Sequence, residues 1–259
     1  MLRCDISVAN SYSSESQRSR VISENWFRSF GYCLSCESNE LRPTAANTRA
    51  SDFLCPECDQ SYELKTFGLK PKRKLVDGAY GSMISRITGG HAPTLMLLER
   101  SESWEVRGLT AVHGTFLTPS VIEERKPLSM SARRAGWIGC NIRLDLIAPD
   151  AQIPVVAEGR ASKRETVRAA FQQFNRLGDL NPSARGWATL TLQMIRSLGA
   201  DAFSLDDLYR REPLFSAVYP ANRNVRAKIR QQLQILRDMG YVEFRGGGTY
   251  RLLIKTAAV

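Results

Sequence analysis

The sequence predicts an α/β protein built in two parts, and three observations carry that prediction. Helical and strand periodicities interleave through the first ~175 residues, as in a single mixed domain. Inside that region four of the six cysteines fall in two matched pairs. After GDLNPSARG (178–186), a run rich in Gly, Pro, Asn and Ser, the pattern changes to helix, helix, long helix, hairpin. The expected division is therefore 1–180 and 181–259.

Residues 15–30 predict an amphipathic helix, because Ile22, Trp26 and Phe30 recur four apart with Phe27 beside them. Residues 32–66 are short, turn-rich and Cys-bearing, and end in the alternating run Tyr62-Glu63-Leu64-Lys65. VDGAYGSMISRI (76–87) is expected to be helical. TLMLLE (94–99) is an apolar run short enough for a buried strand. Segments 104–118 and 137–147 are expected as further strands, and 163–177 as a helix. Beyond the boundary, helices are expected at 184–198, at 204–215 and at 224–240. Ser204 caps the second, with Asp206 and Asp207 favourably placed in its first turn, and Gly240 closes the third. Residues 241–254 alternate about a glycine turn, as a β-hairpin does. This order predicts a winged helix.

Lys and Arg outnumber Asp and Glu by 36 to 26, a formal charge of +10, which points to a polyanionic partner. The N-terminal stretch lacks the continuous apolar core of a signal peptide, and no apolar run approaches the ~18 residues of a membrane span. A cytoplasmic protein without a membrane partner is expected.

Cys33, Cys36, Cys55 and Cys58 give C-x2-C-x18-C-x2-C, the spacing of a zinc ribbon across 33–58. Four thiolates leave no open coordination position, so the ion they imply, Zn2+, is structural. Cys4 and Cys140 are left over and read as small buried residues. His91 and His113 form no H-E-x-x-H motif or other paired arrangement, which argues against a His-metal nuclease or a zinc protease.

Asp52 lies just before the second cysteine pair and Glu63 just after it. A hairpin over 50–66 with the knuckle at its tip brings these two acids together at its base. Glu63 and Lys65, two apart on a strand, share one face. Two converging carboxylates need a cation between them; oxygen ligands, few in number, favour Mg2+. A lysine on the same face can position or deprotonate a water, or stabilise negative charge on a phosphate. Glu and Lys two apart are also commonplace on solvated strands, so spacing alone leaves catalysis open.

In the third C-terminal helix Val225, Ile229, Leu233 and Leu236 form a core stripe. Arg223, Arg226, Lys228, Arg230, Gln231, Gln234 and Arg237 occupy the rest, where Arg suits phosphate and guanine and Gln suits adenine. Arg245 and glycines 246–248 are expected at a wing tip. In SARRAGWIG (131–139), Arg133 and Arg134 suit guanine edges or phosphates. Trp137 suits either the wall of a base pocket or the core start of a strand, whereas Trp187 reads as core.

Asp52…Glu63-Leu64-Lys65 resembles the PD-(D/E)xK nuclease signature. Together with the ribbon, SARRAGWIGCNI (131–142) and KIRQQLQILRD (228–238), it resembles the DpnI-like methyl-directed type II restriction endonucleases over nearly the whole chain. Ser51 stands where the signature's name has Pro. The resemblance implies a PD-(D/E)xK domain with an inserted Cys4 zinc ribbon, followed by a winged-helix domain. It implies Mg2+-dependent cleavage of double-stranded DNA at GATC carrying N6-methyladenine, with both parts able to read the site. Asp52 and Glu63 would hold magnesium, Lys65 would serve the water, and Glu24 on the first helix would assist. A monomer, pairing transiently on DNA, is expected. The competing readings are a non-catalytic zinc-ribbon/winged-helix regulator and a nuclease for a different modification.

Overall fold

The computed structural model describes residues 2–45, 51–69 and 73–254. Helix α1 (Glu15–Phe30) buries Ile22, Trp26 and Phe27, with Phe30 stacked on Trp26 and Phe27 set edge-on against Phe53. Two short strands, β1 (Arg42–Pro43) and β2 (Phe53–Leu54), lead to β3 (Ser61–Phe67). β2 and β3 pair antiparallel, so the expected hairpin forms with the second cysteine pair at its tip; residue 50, at its start, lies outside the described residues.

The segment 76–87 is not one helix. Its first part belongs to β4 (Lys74–Ala79), and α2 (Tyr80–Thr88) begins only afterwards. β4 pairs with β8 (Gly139–Arg143), Leu75 opposite Ile142 and Asp77 opposite Cys140. A partner more than sixty residues away in sequence (Leu75 to Ile142) thus decides the state of this segment. Gly78 weakens any helix start there.

β5 (Thr94–Arg100) pairs parallel with β3, and residues 95–98 are fully buried, as the unbroken apolar run requires. β6 (Val106–Val112) follows, then β7 (Ile122–Glu124), β8, β9 (Gln152–Ala157), β10 (Arg160–Ala161) and α3 (Arg164–Gln172). The strands expected over 104–118 and 137–147 are shorter than that, each giving way to a 3-10 turn at its C-terminal end. The large sheet has the order β1-β2-β3-β5-β6-β9-β10, and β4-β8-β7 form a second, smaller one.

In the C-terminal part α4 (Pro182–Arg196) starts with Pro182 in its first turn and Asn181 accepting the Ala184 N–H. After β11 (Ala202–Ser204), the helix expected over 204–215 is two: α5 (Leu205–Tyr209) and α6 (Glu212–Val218). Pro213 has no N–H for α5 to use and is tolerated only in the first turn of a new helix. Ser204 and Asp207 complete a capping box. α7 (Val225–Asp238) ends in a Schellman motif: Tyr241 N–H donates to Leu236 O, Gly240 N–H to Arg237 O, and Gly240 takes φ +79°. β12 (Val242–Gly246) and β13 (Thr249–Leu252) form the wing with β11, which the alternation did not predict.

α4 packs on both parts of the chain. Trp187 is buried against Phe215 and Tyr219, while Arg185 donates to Ile87 O and Gln193 to Asp145 O. Arg196 pairs with Asp150 through Nη2–Oδ1 and Nε–Oδ2, both at 2.5 Å, and Tyr241 donates to Gln173 O.

Candidate active site and metal centre

The four paired cysteines converge. Their sulfurs all lie within 4.8 Å of one another, with Cys33–Cys58 at 3.5 Å and Cys36–Cys55 at 3.6 Å. Tetrahedral coordination at ~2.3 Å per thiolate sets sulfurs about 3.8 Å apart, so the cluster fits an ion such as zinc without rearrangement. Burial alone would raise the Cys55 thiol, but N–H donors from Glu57 and Cys58 bring it down to about 7. Three contacts tie this centre to the rest of the protein. Tyr62, fully buried on β3, accepts the Leu34 N–H and lies 3.2 Å from Cys33 Sγ. Arg168 on α3 donates to Cys33 O, Ser38 O and Glu37. Gln172 reaches Ser35 O. A basic residue on a distant helix carried no signal of this role in the sequence.

Tyr62 and Glu63 are neighbours on β3 and so face opposite ways. The face that carries Tyr62 braces the thiolate centre; the other carries Glu63 and Lys65. Asp52 lies just before β2, and its N–H donates to Tyr62 O at 2.9 Å, which holds it at the foot of the hairpin beside β3. Asp52 Oδ2 accepts the Leu64 N–H at 2.8 Å. Ser51, in the place of the signature's Pro, is buried and donates to Phe53 O.

Lys65 Nζ lies 2.6 Å from Glu63 Oε1 and 2.8 Å from Asp77 Oδ1. Burial opposes charge on Lys65, but the two carboxylates outweigh it and hold the ammonium charged above its ordinary range. Glu63 is pushed up by burial first, then by Asp77 and Asp52, against the pull of Lys65. Its Oε2 and the Oδ2 of Asp77 are buried without a hydrogen-bond partner. Two unpartnered anionic oxygens beside one ammonium suit a hard cation. The carboxylates stand further apart than the thiolates do: among the described residues, only the cysteines bring three or more ligand atoms within 4.8 Å. Glu24 is turned to Arg20, at 2.5 Å on the same helix.

Cys4 and Cys140 are buried, and burial pushes both thiols up to about 11. His91 is exposed, whereas His113 is a core residue.

The residues expected on DNA fall in two regions. Arg133 and Arg134 are exposed in the loop before β8, and the Arg134 guanidinium covers the half-buried Trp137 ring at 4.7 Å. Gly139 lies against the edge of that ring: a Cβ there would meet Trp137 at 2.8 Å and the ring would have to shift. On α7 Val225, Ile229, Leu233 and Leu236 are buried as expected, joined by Gln232. Arg223, Arg226, Arg230, Gln231 and Gln234 are exposed, and Lys228 is half-buried. Several already have partners within the protein: Arg226 pairs with Glu212 at 2.7 Å, Arg230 donates to Tyr209 Oη, and Lys228 to Gln231 Oε1. Arg245 pairs with Glu243 beside the wing turn, where Gly246, Gly247 and Gly248 all take positive φ.

Two independent matches fall on these two regions. Residues 1–179, which contain the thiolate centre and the buried acids, match the DpnI family model, the Dam-replacing family. Residues 183–252, which contain α7 and the wing, match the Dam-replacing HTH domain of the same family. The chain thus belongs to the Dam-replacing family, a family of DNA-binding, methyl-directed restriction endonucleases.

Proposed function

We propose that the protein is a Mg2+-dependent type II endonuclease that cleaves duplex DNA at GATC when the adenine carries an N6-methyl group. The observation that carries this reading is Glu63, buried on β3 with Oε2 unpartnered and within hydrogen-bond reach of Lys65, while Asp52 is bonded to Tyr62 and Leu64, the neighbours of Glu63 on either side. Bound magnesium supplies Lewis-acid stabilisation of the phosphate and lowers the pKa of a coordinated water. Asp52 and Glu63 would hold that ion. Lys65, kept charged by its neighbours, serves to orient the water and to offset charge on the phosphate; in this arrangement it has no lone pair with which to act as a base. The four cysteines would hold Zn2+ and fix the hairpin without touching the reaction. Trp137, Arg133, Arg134 and the exposed face of α7 would contact the DNA, and Arg245 the backbone beside the wing. The protein would act as a monomer that pairs transiently on DNA.

Parallel digestion of GATC-methylated and unmethylated plasmid with Mg2+ tests the reading. Cleavage of the methylated plasmid alone is expected, with Asp52→Ala and Lys65→Ala binding DNA but cutting about 100–1,000-fold more slowly, the order of the effect of losing one group that stabilises the transition state. Cleavage of both plasmids would remove the methyl requirement. Binding without cleavage by the unaltered protein would leave a DNA-binding regulator.

A further inference from the structure

The proposed function assigns the cation to Asp52 and Glu63 and leaves Asp77 out. It stands on β4, in a different sheet from Glu63, twelve residues after Lys65. Its side chain is only 6% exposed. Oδ1 accepts from Lys65 Nζ and from the Gly78 N–H, while Oδ2 has no partner. Burying a carboxylate oxygen with nothing to bond costs several kcal/mol, roughly, unless an ion or hydrogen-bond donor compensates it.

The local backbone is shaped to deliver this side chain. β4 and β8 are in register from Lys74 to Asp77, and the pairing then slips between Asp77 and Ala79. Such irregularities re-aim a side chain, and they recur beside active sites. The slip follows Asp77 immediately. Glu63 presents the same pattern from β3 in the larger sheet, with Oε1 on Lys65 Nζ and Oε2 unpartnered. The Lys65 ammonium therefore sits between two acids, each with its second oxygen buried and unpartnered. Arg86 and Asp52 are the other charges that act on this pair: the field of Glu63 and Asp77 reaches Arg86, and Asp52 acts on Glu63.

We infer that Asp77 is a third carboxylate ligand for the divalent cation held by Asp52 and Glu63, and that Lys65 stands in for that cation in its absence. The inference rests on the cation site proposed above. It explains why two buried acids from separate sheets share one lysine, which a purely structural ion pair does not need. Lys65 and Arg86 balance Glu63 and Asp77, and Asp52 leaves the group net negative.

Titration calorimetry with Ca2+ on the full-length, zinc-loaded protein tests it without reference to cleavage. Asp77→Asn is expected to lower Ca2+ affinity at least tenfold, with DNA binding in cation-free buffer and near-UV dichroism unchanged. Unchanged affinity in Asp77→Asn alongside weakened binding in Asp52→Asn and Glu63→Gln would overturn the role of Asp77 and leave the proposed site standing. Unchanged affinity in all three would overturn the site itself. Should Asp77→Asn fail to fold, Mn2+ broadening of carboxyl 13C resonances in the unaltered protein decides. Asp77 is expected to broaden together with Asp52 and Glu63, and a sharp Asp77 signal beside two broadened ones refutes the inference.

Discussion

His113 shows how much chemistry a single buried side chain can hold without being part of a site. Its Nδ1 accepts from the Thr115 N–H, so the ring proton resides on Nε2 and is donated to Asn175 Oδ1 at 3.1 Å. Burial, reinforced by Arg185, lowers its pKa to about 4. The folded protein refuses a proton that the unfolded chain accepts below about 6.5, so stability falls as pH drops from ~6.5 toward ~4, by about 3 kcal/mol in all. His113→Gln should flatten this dependence. Urea unfolding at pH 7 and pH 4.5 should show a variant about 2–3 kcal/mol less sensitive to the change than the parent. Equal sensitivity would mean that His113 carries no proton-linked stability. At this scale the sequence was informative about which residues are unusual and silent about their partners. The two histidines, which form no paired arrangement in the sequence, take different places in the structure, His91 on the surface and His113 in the core. By contrast, nothing within Val76-Asp77-Gly78 marks Asp77 as a neighbour of Lys65, because β8 and the second sheet create that proximity.

Elements were legible where local chemistry decides them. The α1 stripe, the β5 apolar run, the Ser204 cap and the Gly240 stop each form where expected. They were misread where a distant partner or one residue's covalent geometry decides, as at β4 and at Pro213. The thiolate centre lies between these cases: the turn between β2 and β3 is local, but the first knuckle that meets it is held by α3. Arg168 is 7% exposed and binds two backbone carbonyls of the first knuckle, which no other described side chain replaces in those contacts. Each such charged hydrogen bond contributes roughly 1.5–3 kcal/mol. Arg168→Ala should therefore loosen the knuckle while leaving all four thiolates present. Release of zinc to a colorimetric chelator is expected to accelerate at least tenfold, and Cys55→Ser should lose the ion and destabilise the first part of the chain. Cleavage should fall in step with zinc content, since β3 carries both Tyr62 and Glu63. Zinc release at the parental rate would show that α3 is not what secures the ribbon.

For the whole molecule, the proposed function raises the question of how two parts could read one small mark. A single methyl group is discriminated by only about 1–3 kcal/mol, roughly 10–200-fold. Both strands of the proposed target would carry a methyl, and two independent readers would multiply their margins. Cutting the chain near residue 180 is a poor way to separate them. α4 is buried against both parts, and its loss would strip Arg185 from Ile87 and Arg196 from Asp150. The intact chain offers a cleaner cycle. Trp137→Ala alters the loop before β8, and Gln231→Ala with Gln234→Ala alters the exposed face of α7, a separate element. The quantity to measure is the ratio of kcat/KM on methylated to unmethylated GATC. If each part reads a methyl, each set of changes lowers that ratio within about 10–200-fold, and the combination lowers it by the product of the two, as independent sites do. If one part does all the reading, the combined variant is no less selective than the worse of its components, and the second part contributes affinity alone.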